Sequence, residues 1–147
     1  MAGYFDSSLL VAAVLRQGNS DVCAGIWDSE QVRLSSILLK VECVISVRRI
    51  AAAQGNGPNG DWAAQRLRAL DVYIESISYR SLDQAIERTI RQESRLSACR
   101  ALDAVHLATA MYFQPHLQEP LSICSLDKRL RDVARCLGFK VLPAELP

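Results

Sequence analysis

The sequence predicts an α/β fold in which helices cover both faces of a central parallel sheet. Short apolar segments alternate along the chain with longer segments of helical spacing, the order that successive βαβ units produce. The chain has 147 residues, of which 50% are hydrophobic and 22% charged, and this length fits one globular domain over residues 1–147. The composition excludes a disordered chain and a small disulfide-stapled scaffold.

The first half of the chain holds five predicted elements. They are a strand, two helices, a second strand and a long helix, at residues 2–5, 9–15, 21–28, 32–35 and 36–53. Ser7-Ser8 offers the cap of the first helix, and Ser35-Ser36 lies where the second strand passes into the long helix. Spacings of four and three predict a core-facing stripe on the long helix. Its members are Leu34, Leu38, Val41 and Ile45.

Residues 55–60, whose letters match the G-x-G-x-x-G phosphate-binding pattern, are predicted to form a plain loop. A dinucleotide-binding loop follows a strand and opens a helix, with an acid about 20 residues further on. This segment instead follows a helix and contains a proline and two Asn-Gly pairs. Its context therefore favours a connection between two helices.

The second half of the chain holds seven predicted elements. They are a helix, a strand, two helices, a strand, a helix and a last strand, at residues 61–70, 72–77, 81–93, 100–113, 121–124, 127–137 and 140–142. The helix over 100–113 is apolar on nearly every side, which predicts a position in the middle of the domain. Gly138 is the predicted end of the helix that precedes the last strand.

The net charge of +1 excludes a polycation that coats nucleic acid by bulk charge alone. Fourteen of the seventeen basic residues are Arg, whose planar guanidinium binds phosphate in a bidentate manner, although a coding bias toward Arg explains this count equally well. Two basic clusters stand at helical spacing, as phosphate contacts or as ordinary solvated helix faces. They are Arg88, Arg91 and Arg95, and Lys128, Arg129, Arg131 and Arg135.

The cysteines and the apolar runs predict a cytoplasmic protein. Five cysteines, an odd number without a Cys-x-x-Cys pair, lie mostly in apolar runs and are predicted to be small buried thiols in a reducing compartment. The longest wholly apolar stretch, residues 9–15, is too short to span a membrane. Because it follows an Asp rather than a basic segment, no signal peptide is expected.

Four acids stand in apolar surroundings, where a carboxylate is costly. They are Asp6, Glu42, Asp103 and Asp127. Asp6 and Asp127 follow strands, so both are predicted at the carboxyl edge of the sheet, where open α/β folds place their ligands. Glu42 and Asp103 fall within helices beside core positions, and capping cannot explain them. Asp127 taken alone is more often a helix cap than a ligand.

Such a group of carboxylates requires a compensating cation, because each buried charge is costly and the four charges repel one another. Arg100 can neutralise one of them. Hard oxygen ligands without a His or Cys cluster favour Mg²⁺ or Mn²⁺ over Zn²⁺. Such an ion polarises a phosphoryl oxygen and lowers the pKa of a bound water, which is the chemistry of phosphodiester hydrolysis.

Four sequence blocks stand in order along the chain. They are Tyr-Phe-Asp-Ser-Ser at 4–8, Ser-Ser-Ile-Leu-Leu-Lys-Val-Glu at 35–42, Arg-Ala-Leu-Asp-Ala-Val-His-Leu-Ala-Thr-Ala at 100–110 and Ser-Leu-Asp-Lys-Arg-Leu at 125–130. Together they resemble the PIN-domain ribonucleases, and within that family the small VapC-like toxins of type II toxin–antitoxin modules. The third block is the most specific, and Ser125 stands where Thr is commoner. The resemblance implies a three-layer α/β/α PIN-like fold.

The resemblance also implies a metal-dependent endoribonuclease that hydrolyses RNA phosphodiester bonds with Mg²⁺ or Mn²⁺. By this resemblance Asp6, Glu42 and Asp103 are the core metal ligands and catalytic residues. Asp127 joins them as a ligand, directly or through water. No side-chain nucleophile is needed, because water attacks the phosphorus atom in line with the leaving group.

Three neighbouring side chains have supporting or structural roles in this reading. Ser8 and Ser125 orient a carboxylate or a water in the second coordination sphere, or instead serve as a helix cap and a polar strand end. His106 is predicted to be a packed, hydrogen-bonded histidine rather than a proton shuttle.

The resemblance further implies two protein partners, a second copy in a homodimer and a cognate antitoxin that blocks the acidic groove. The apolar helix surface with Leu9, Leu10 and Val14 is divided between core and interface in proportions that the sequence does not fix. RNA is the implied substrate. Setting the four acids aside leaves seventeen positive against twelve negative side chains, a remainder of +5 that suits this substrate.

Two other functions compete with this one. A phosphatase or receiver-like domain phosphorylated on Asp6 requires a second acid at position 8 and a lysine at a strand end, but Ser8 stands at the first position and the lysine is missing. A PIN-like module that only binds RNA or protein tolerates loss of the acids, and all four are present. The sequence therefore favours an active nuclease.

Overall fold

The core of the protein is a five-stranded sheet in which all neighbouring strands run parallel. The computed structural model describes residues 1–15 and 17–147. The strands in this part of the chain are β1 Ala2–Phe5, β2 Val32–Ser36, β3 Ser78–Arg80, β4 Leu121–Cys124 and β5 Lys140–Leu142. The α-helices are α1 Ser7–Val14, α2 Ser20–Ser29, α3 Leu38–Ala53, α4 Asp61–Ile74, α5 Gln84–Gln92, α6 Ala101–Phe113 and α7 Lys128–Cys136.

The strand order β3-β2-β1-β4-β5 places β1 in the centre of the sheet. The chain builds outward from β1 through β2 and β3, and then returns to the other side of β1 for β4 and β5. β1 and β4 pair in register from Ala2 with Leu121 to Phe5 with Cys124. A crevice for ligands forms outside the carboxyl ends of two strands at such a reversal. Asp6 directly follows β1 at this crevice.

Helices cover both faces of the sheet, which confirms the predicted three-layer architecture. Successive side chains of a strand point to opposite faces, so Tyr4 and Phe5 of β1 belong to different cores. The core on the Tyr4 face contains buried residues of α5, α6 and α7. The core on the Phe5 face contains buried residues of α1, α2, α3 and α4.

The core-facing side of α3 differs from the predicted stripe. Val41 and Ile45 are exposed by 55% and 42%. The buried residues recur every four positions instead, and they are Leu39, Cys43, Val47 and Ala51. Both lines have helical spacing, so spacing alone does not distinguish them. The choice is made by α1 and α4, which pack on the second line.

The predicted strand over residues 72–77 is wrong. Helix α4 continues to Ile74, and the following turn leads into β3 at Ser78–Arg80. Ala63 and Leu70 of α4 are buried seven residues apart, which is two helical turns, so the helical period outweighs the short alternating pattern after it. The other predicted strands are confirmed within one residue at their ends.

The cap of α1 also differs from the prediction. The carboxylate of Asp6 accepts a hydrogen bond from the backbone N–H of Ser8, so the acid and not the Ser7-Ser8 pair caps the helix. Asp6 has the extended backbone conformation that a cap residue adopts. The same side chain thus begins a helix and ends a strand, which fixes its position at the sheet edge.

The structure also tests the predictions about the loop over residues 55–60, the apolar side chains of α1 and the cysteines. Residues 55–60 lie in the exposed connection between α3 and α4, as predicted, with Gly55 at a φ of +77°. Leu9, Leu10 and Val14 of α1 are buried in the core and leave no apolar patch there for a partner. Three of the five cysteines are buried, whereas Cys136 is exposed. Within residues 1–15 and 17–147, every helix is too short or too polar to cross a membrane.

Candidate active site

The four acids identified in the sequence lie on elements that meet at the carboxyl edge of the sheet. Asp6 follows β1, and Asp127 comes three residues after β4 as the cap of α7. Glu42 lies in the second turn of α3, and Asp103 lies in the first turn of α6. The topology therefore brings together residues that are up to 121 positions apart in the chain.

Two of these acids form a tight group with a histidine. One ligand atom each from Asp6, Glu42 and His106 lie within 4.8 Å of one another. Asp6 and His106 are buried, and the Glu42 side chain is 23% exposed. We call these three residues the inner group. Within the described part of the chain, neither carboxylate of this group forms an ion pair with a Lys or Arg.

Uncharged hydroxyl groups hold the Asp6 carboxylate. Both Ser8 and Ser125 donate hydrogen bonds to its Oδ2 atom, the latter over 2.8 Å. The Ser8 hydroxyl also accepts from the N–H of Leu126, and the Ser125 hydroxyl accepts from the N–H of Asp127. The two serines therefore connect the end of β1 to the loop after β4. Each orients Asp6 and leaves its charge uncompensated.

His106 contacts Glu42 from the buried side of α6. Its Nε2 atom is hydrogen-bonded to Oε1 of Glu42, and its Nδ1 atom lies 2.9 Å from the hydroxyl of Tyr4. Burial by itself lowers the pKa of His106, but the hydrogen bond to Glu42 and the charges of Asp6, Glu42 and Asp103 raise it overall. The predicted packed, hydrogen-bonded histidine is confirmed, and it also belongs to the site.

The other two acids are held by a cation. Arg100 donates to Asp103 over 3.2 Å and to Asp127 over 2.9 Å. The guanidinium side chain is 66% exposed, whereas the Asp103 side chain is 11% exposed. The hydrogen bond to Asp103 and the charges of both acids raise the pKa of Arg100. We call Asp103, Asp127 and Arg100 the outer group.

An open cavity of about 480 Å³ connects the two groups to solvent. Glu42 and Asp103 both line it, so a ligand in this cavity meets an acid of each group. Its walls also contain apolar and basic side chains, which are Ile45, Arg49, Arg100 and Leu102. The cavity is therefore lined by two acids and by two guanidinium groups.

The donor set fits a hard divalent cation. Two carboxylates of the inner group converge without an ion pair to a described Lys or Arg side chain, and Asp103 offers a third oxygen donor on the same cavity. Burial, and then the charges of Asp6 and Glu42, raise the pKa of Cys43 to about 12. Because the single nitrogen ligand atom is already hydrogen-bonded to Glu42, the available donors are oxygens, which suit Mg²⁺ or Mn²⁺.

The basic clusters predicted from the sequence are only partly available to a phosphate. Arg131 is buried and donates to the backbone carbonyls of Ser125, Pro143 and Ala144, so its assignment as a phosphate contact is wrong. Its guanidinium instead anchors the loop that carries Ser125. Lys128 and Arg129 line a second open cavity of about 530 Å³ beside α7.

A parallel α/β sheet with buried acids gathered at its switch point is an arrangement suited to a metal-dependent hydrolase. The PIN domain matches residues 3–135, and the chain belongs to this family. Among curated proteins, the chain is 28% identical over 144 residues to Ribonuclease VapC45 of Mycobacterium tuberculosis (strain CDC 1551 / Oshkosh), covering 97% of this chain and 96% of the relative. It is 31% identical over 140 residues to Ribonuclease VapC46 of strain ATCC 25618 / H37Rv, covering 95% of each chain.

Sequence reasoning missed the link between the acids and two aromatic side chains. His106 lies three residues after Asp103, so both are on the same face of α6. Tyr4 lies two residues before Asp6, so both side chains leave the chain toward the same face of the sheet. These two spacings are the signals that would have placed His106 and Tyr4 beside the acids.

Proposed function

We propose that the chain is a metal-dependent endoribonuclease that hydrolyses RNA phosphodiester bonds, and that it acts as the toxin of a toxin–antitoxin pair. The observation that carries this proposal is the convergence of Asp6 and Glu42 at the sheet edge, where neither forms an ion pair with a described Lys or Arg side chain. The relatives named Ribonuclease VapC support the activity and the toxin role.

The proposed metal ligands are Asp6, Glu42 and Asp103, with Asp127 as a fourth ligand either directly or through water. Asp6 and Glu42 already converge, and Asp103 faces the same cavity as Glu42. Arg100 pairs with Asp103 and Asp127 where a metal ion would otherwise bind them, and its side chain is exposed enough to move away. Mg²⁺ and Mn²⁺ are the proposed ions, since both prefer carboxylate oxygen.

A bound divalent ion polarises the phosphoryl oxygen and lowers the pKa of water, the chemistry that hydrolysis requires. The protein's own residues position the charges. Ser8 and Ser125 hold the Asp6 carboxylate, and His106 holds Glu42. Arg100, once released from Asp103, offers a guanidinium for a phosphate oxygen at the rim of the cavity. Ser8, Ser125 and His106 are all engaged in hydrogen bonds to the acids, so none of these three is free to act as a nucleophile.

RNA is the proposed substrate, and its backbone runs beside the first turns of α7. Lys128 and Arg129 line the cavity there and present positive charge to solvent. Arg129 forms no ion pair with any described residue, whereas Lys128 pairs with Asp132. Asp127 caps the same helix, so the basic residues begin next to the acidic site.

An antitoxin is the proposed protein partner. We propose that it binds an apolar stripe on α3. Ile37, Val41 and Ile45 are exposed at spacings of four residues, and Leu102 is exposed across the cavity. Ile45 and Leu102 share this cavity with Glu42. A partner that covers the stripe therefore closes the entrance to the acids, which is what an inhibitor of the nuclease must do.

The remaining proposals concern assembly and location. We propose that residues 1–147 form a single nuclease domain, since the sheet extends from β1 near the start of the chain to β5 near its end. A homodimer is proposed from the family resemblance, and sedimentation of the purified chain tests it. A cytoplasmic location is proposed because free cysteines and an RNA substrate suit that compartment.

Cleavage of RNA with Mn²⁺, without it and with a chelator tests the activity, comparing the wild type with Asp103→Asn. We expect cleavage only in the wild type with metal. Cleavage that survives both chelation and the substitution contradicts the metal mechanism. Intact Mn²⁺ binding without cleavage of many different RNAs favours a binding module instead.

A further inference from the structure

A chain of buried hydrogen bonds runs from the end of β2 to Glu42. The backbone N–H of Ser36 donates to the Tyr4 hydroxyl over 2.9 Å. The same hydroxyl lies 2.9 Å from Nδ1 of His106, whose Nε2 is hydrogen-bonded to Glu42. Tyr4 and His106 are almost completely buried, so water does not compete for these bonds.

The direction of each bond follows from the chemistry of its ends. A carboxylate only accepts hydrogen bonds, so Nε2 of His106 carries the proton that bonds to Glu42. In the neutral ring Nδ1 is then an acceptor, and the Tyr4 hydroxyl donates to it. The Tyr4 oxygen in turn accepts the proton of the Ser36 N–H, which can only donate. The Ser36 N–H fixes one end of the chain of hydrogen bonds in the backbone of the sheet.

This arrangement makes His106 unsuitable as a metal ligand. Its Nε2 atom faces Glu42 with its proton, and its Nδ1 atom is hydrogen-bonded to the Tyr4 hydroxyl, as an acceptor in the neutral ring and as a donor in the charged ring, so neither nitrogen has a lone pair free. Nε2 lies 4.0 Å from Oδ1 of Asp6, beyond hydrogen-bond distance. His106 thus acts on Glu42 and not on the other acid of the inner group.

We propose that His106, held by Tyr4, is the positioning residue that fixes the Glu42 carboxylate for binding of a divalent cation. Glu42 is a flexible side chain on an exposed part of α3, and its other neighbours Val41 and Ile45 face solvent. The hydrogen bond from α6 selects one orientation of the carboxylate before the cation arrives. This inference rests on the metal site proposed above and adds two residues that do not touch the cation.

The test is calorimetric Mn²⁺ titration of the full chain with paired variants. His106→Gln keeps an N–H at the place of Nε2, whereas His106→Asn does not reach Glu42. We expect a loss of about 10–100-fold in Mn²⁺ affinity for H106N, the usual effect of removing a group that orients a ligand, and a much smaller loss for H106Q. Equal affinity of H106N and the wild type overturns the proposal, and so does an equal loss in both variants.

Tyr4→Phe tests the far end of the chain, with Tyr79→Phe as the matched control. Tyr79 also donates its hydroxyl proton inside the fold, to the carbonyl of Ile74, but it lies on the edge strand β3. We expect weaker Mn²⁺ binding in Y4F and wild-type binding in Y79F. Equal binding by both overturns the role of Tyr4. Both variants lose one hydroxyl that forms a hydrogen bond inside the fold, and Tyr4 is the more deeply buried of the two.

Electron spin-echo spectroscopy of the Mn²⁺ complex separates positioning from ligation. We expect no coupling of the size that a directly bound ¹⁴N nucleus produces, in the wild type or in H106Q. Such coupling in the wild type, lost in H106Q, overturns the proposal by making His106 a ligand. If the wild type binds no Mn²⁺ at all, the proposed metal site itself fails, an outcome distinct from a bound ion that is insensitive to His106.

Discussion

The inner and outer groups of acids have the same charge but opposite means of support. Asp6 and Glu42 are held by hydroxyl and imidazole groups, which orient a carboxylate without cancelling its charge. Asp103 and Asp127 are held by one exposed guanidinium, whose single positive charge offsets at most half of their formal charge. The two acids of the inner group therefore have no Lys or Arg counter-ion among the described residues. The two acids of the outer group share Arg100, which a metal ion can replace.

This difference indicates how the chain folds with an acidic site. Four uncompensated carboxylates in one place destabilise a fold by desolvation and repulsion. While no metal ion is bound, Arg100 reduces the repulsion between the two outer acids. Because its side chain is exposed, it can leave when a metal ion binds. The inner pair is the part that selects the cation, because neither of its acids forms an ion pair with a described Lys or Arg.

Asp6→Asn is expected to have the largest effect, because it removes charge from the inner group. Asparagine caps a helix as well as aspartate does, so the start of α1 is retained. We expect Mn²⁺ affinity and RNA cleavage to fall by at least about 100-fold, the upper end of the loss from a supporting residue. Asp83→Asn, at the cap of α5, is the control and should leave both unchanged. Comparable activity of D6N and the wild type would show that the inner group is not the metal site.

Removal of the metal should have the next largest effect, this time on stability. A cation that binds only the folded chain raises its unfolding free energy by about 2.7 kcal/mol when its free concentration is about 100 times its Kd. Urea unfolding with Mn²⁺ and with a chelator measures the difference. The stabilisation by Mn²⁺ should be small in D6N, whereas in D83N it should equal that of the wild type. A stabilisation that is equal in D6N would place the ion outside the inner group.

Ser125→Ala should weaken the inner group without removing a ligand. Its hydroxyl donates to Asp6 and accepts from the N–H of Asp127, so its loss frees the carboxylate to rotate. We expect Mn²⁺ affinity to fall by about 10-fold, in the range for supporting residues of metal sites. Ser97→Ala, which loses a hydroxyl bond to the carbonyl of Ser94 on the surface, is the control. Equal Mn²⁺ affinity in the two variants would contradict this role.

Most of the fold was predictable because strands and helices have different periods. Strands β1, β2, β4 and β5 end where the apolar runs end, and a parallel sheet then places Asp6 and Asp127 at one edge. The errors arose where two patterns compete. Either apolar line of α3 fits a helical core face, and only packing by α1 and α4 decides between them.

The hydrogen-bond partners of the acids were less predictable than the position of the acids at the sheet edge. That His106 meets Glu42 rather than Asp103, three residues away on its own helix, depends on how α3 and α6 are placed across the sheet edge. The burial of Arg131 similarly depends on three carbonyl groups supplied by the loop after β4 and the segment after β5. Charge and spacing do not encode such contacts, because they describe one element at a time.

Arg100→Ala should have the smallest effect and the opposite sign on metal binding. The substitution frees Asp103 and Asp127 from a competing cation, so Mn²⁺ should bind more tightly, by up to about fivefold for an exposed pair. Calorimetric Mn²⁺ titration measures this gain, and Arg91→Ala, which breaks the exposed pair with Glu87, should produce none. High salt should shrink the gain, because it screens the exposed guanidinium in the wild type. Weaker Mn²⁺ binding in R100A would mean instead that Arg100 holds Asp103 and Asp127 in their metal-binding positions. The side chains that support the inner and outer acids would then differ in charge, but both would orient metal ligands.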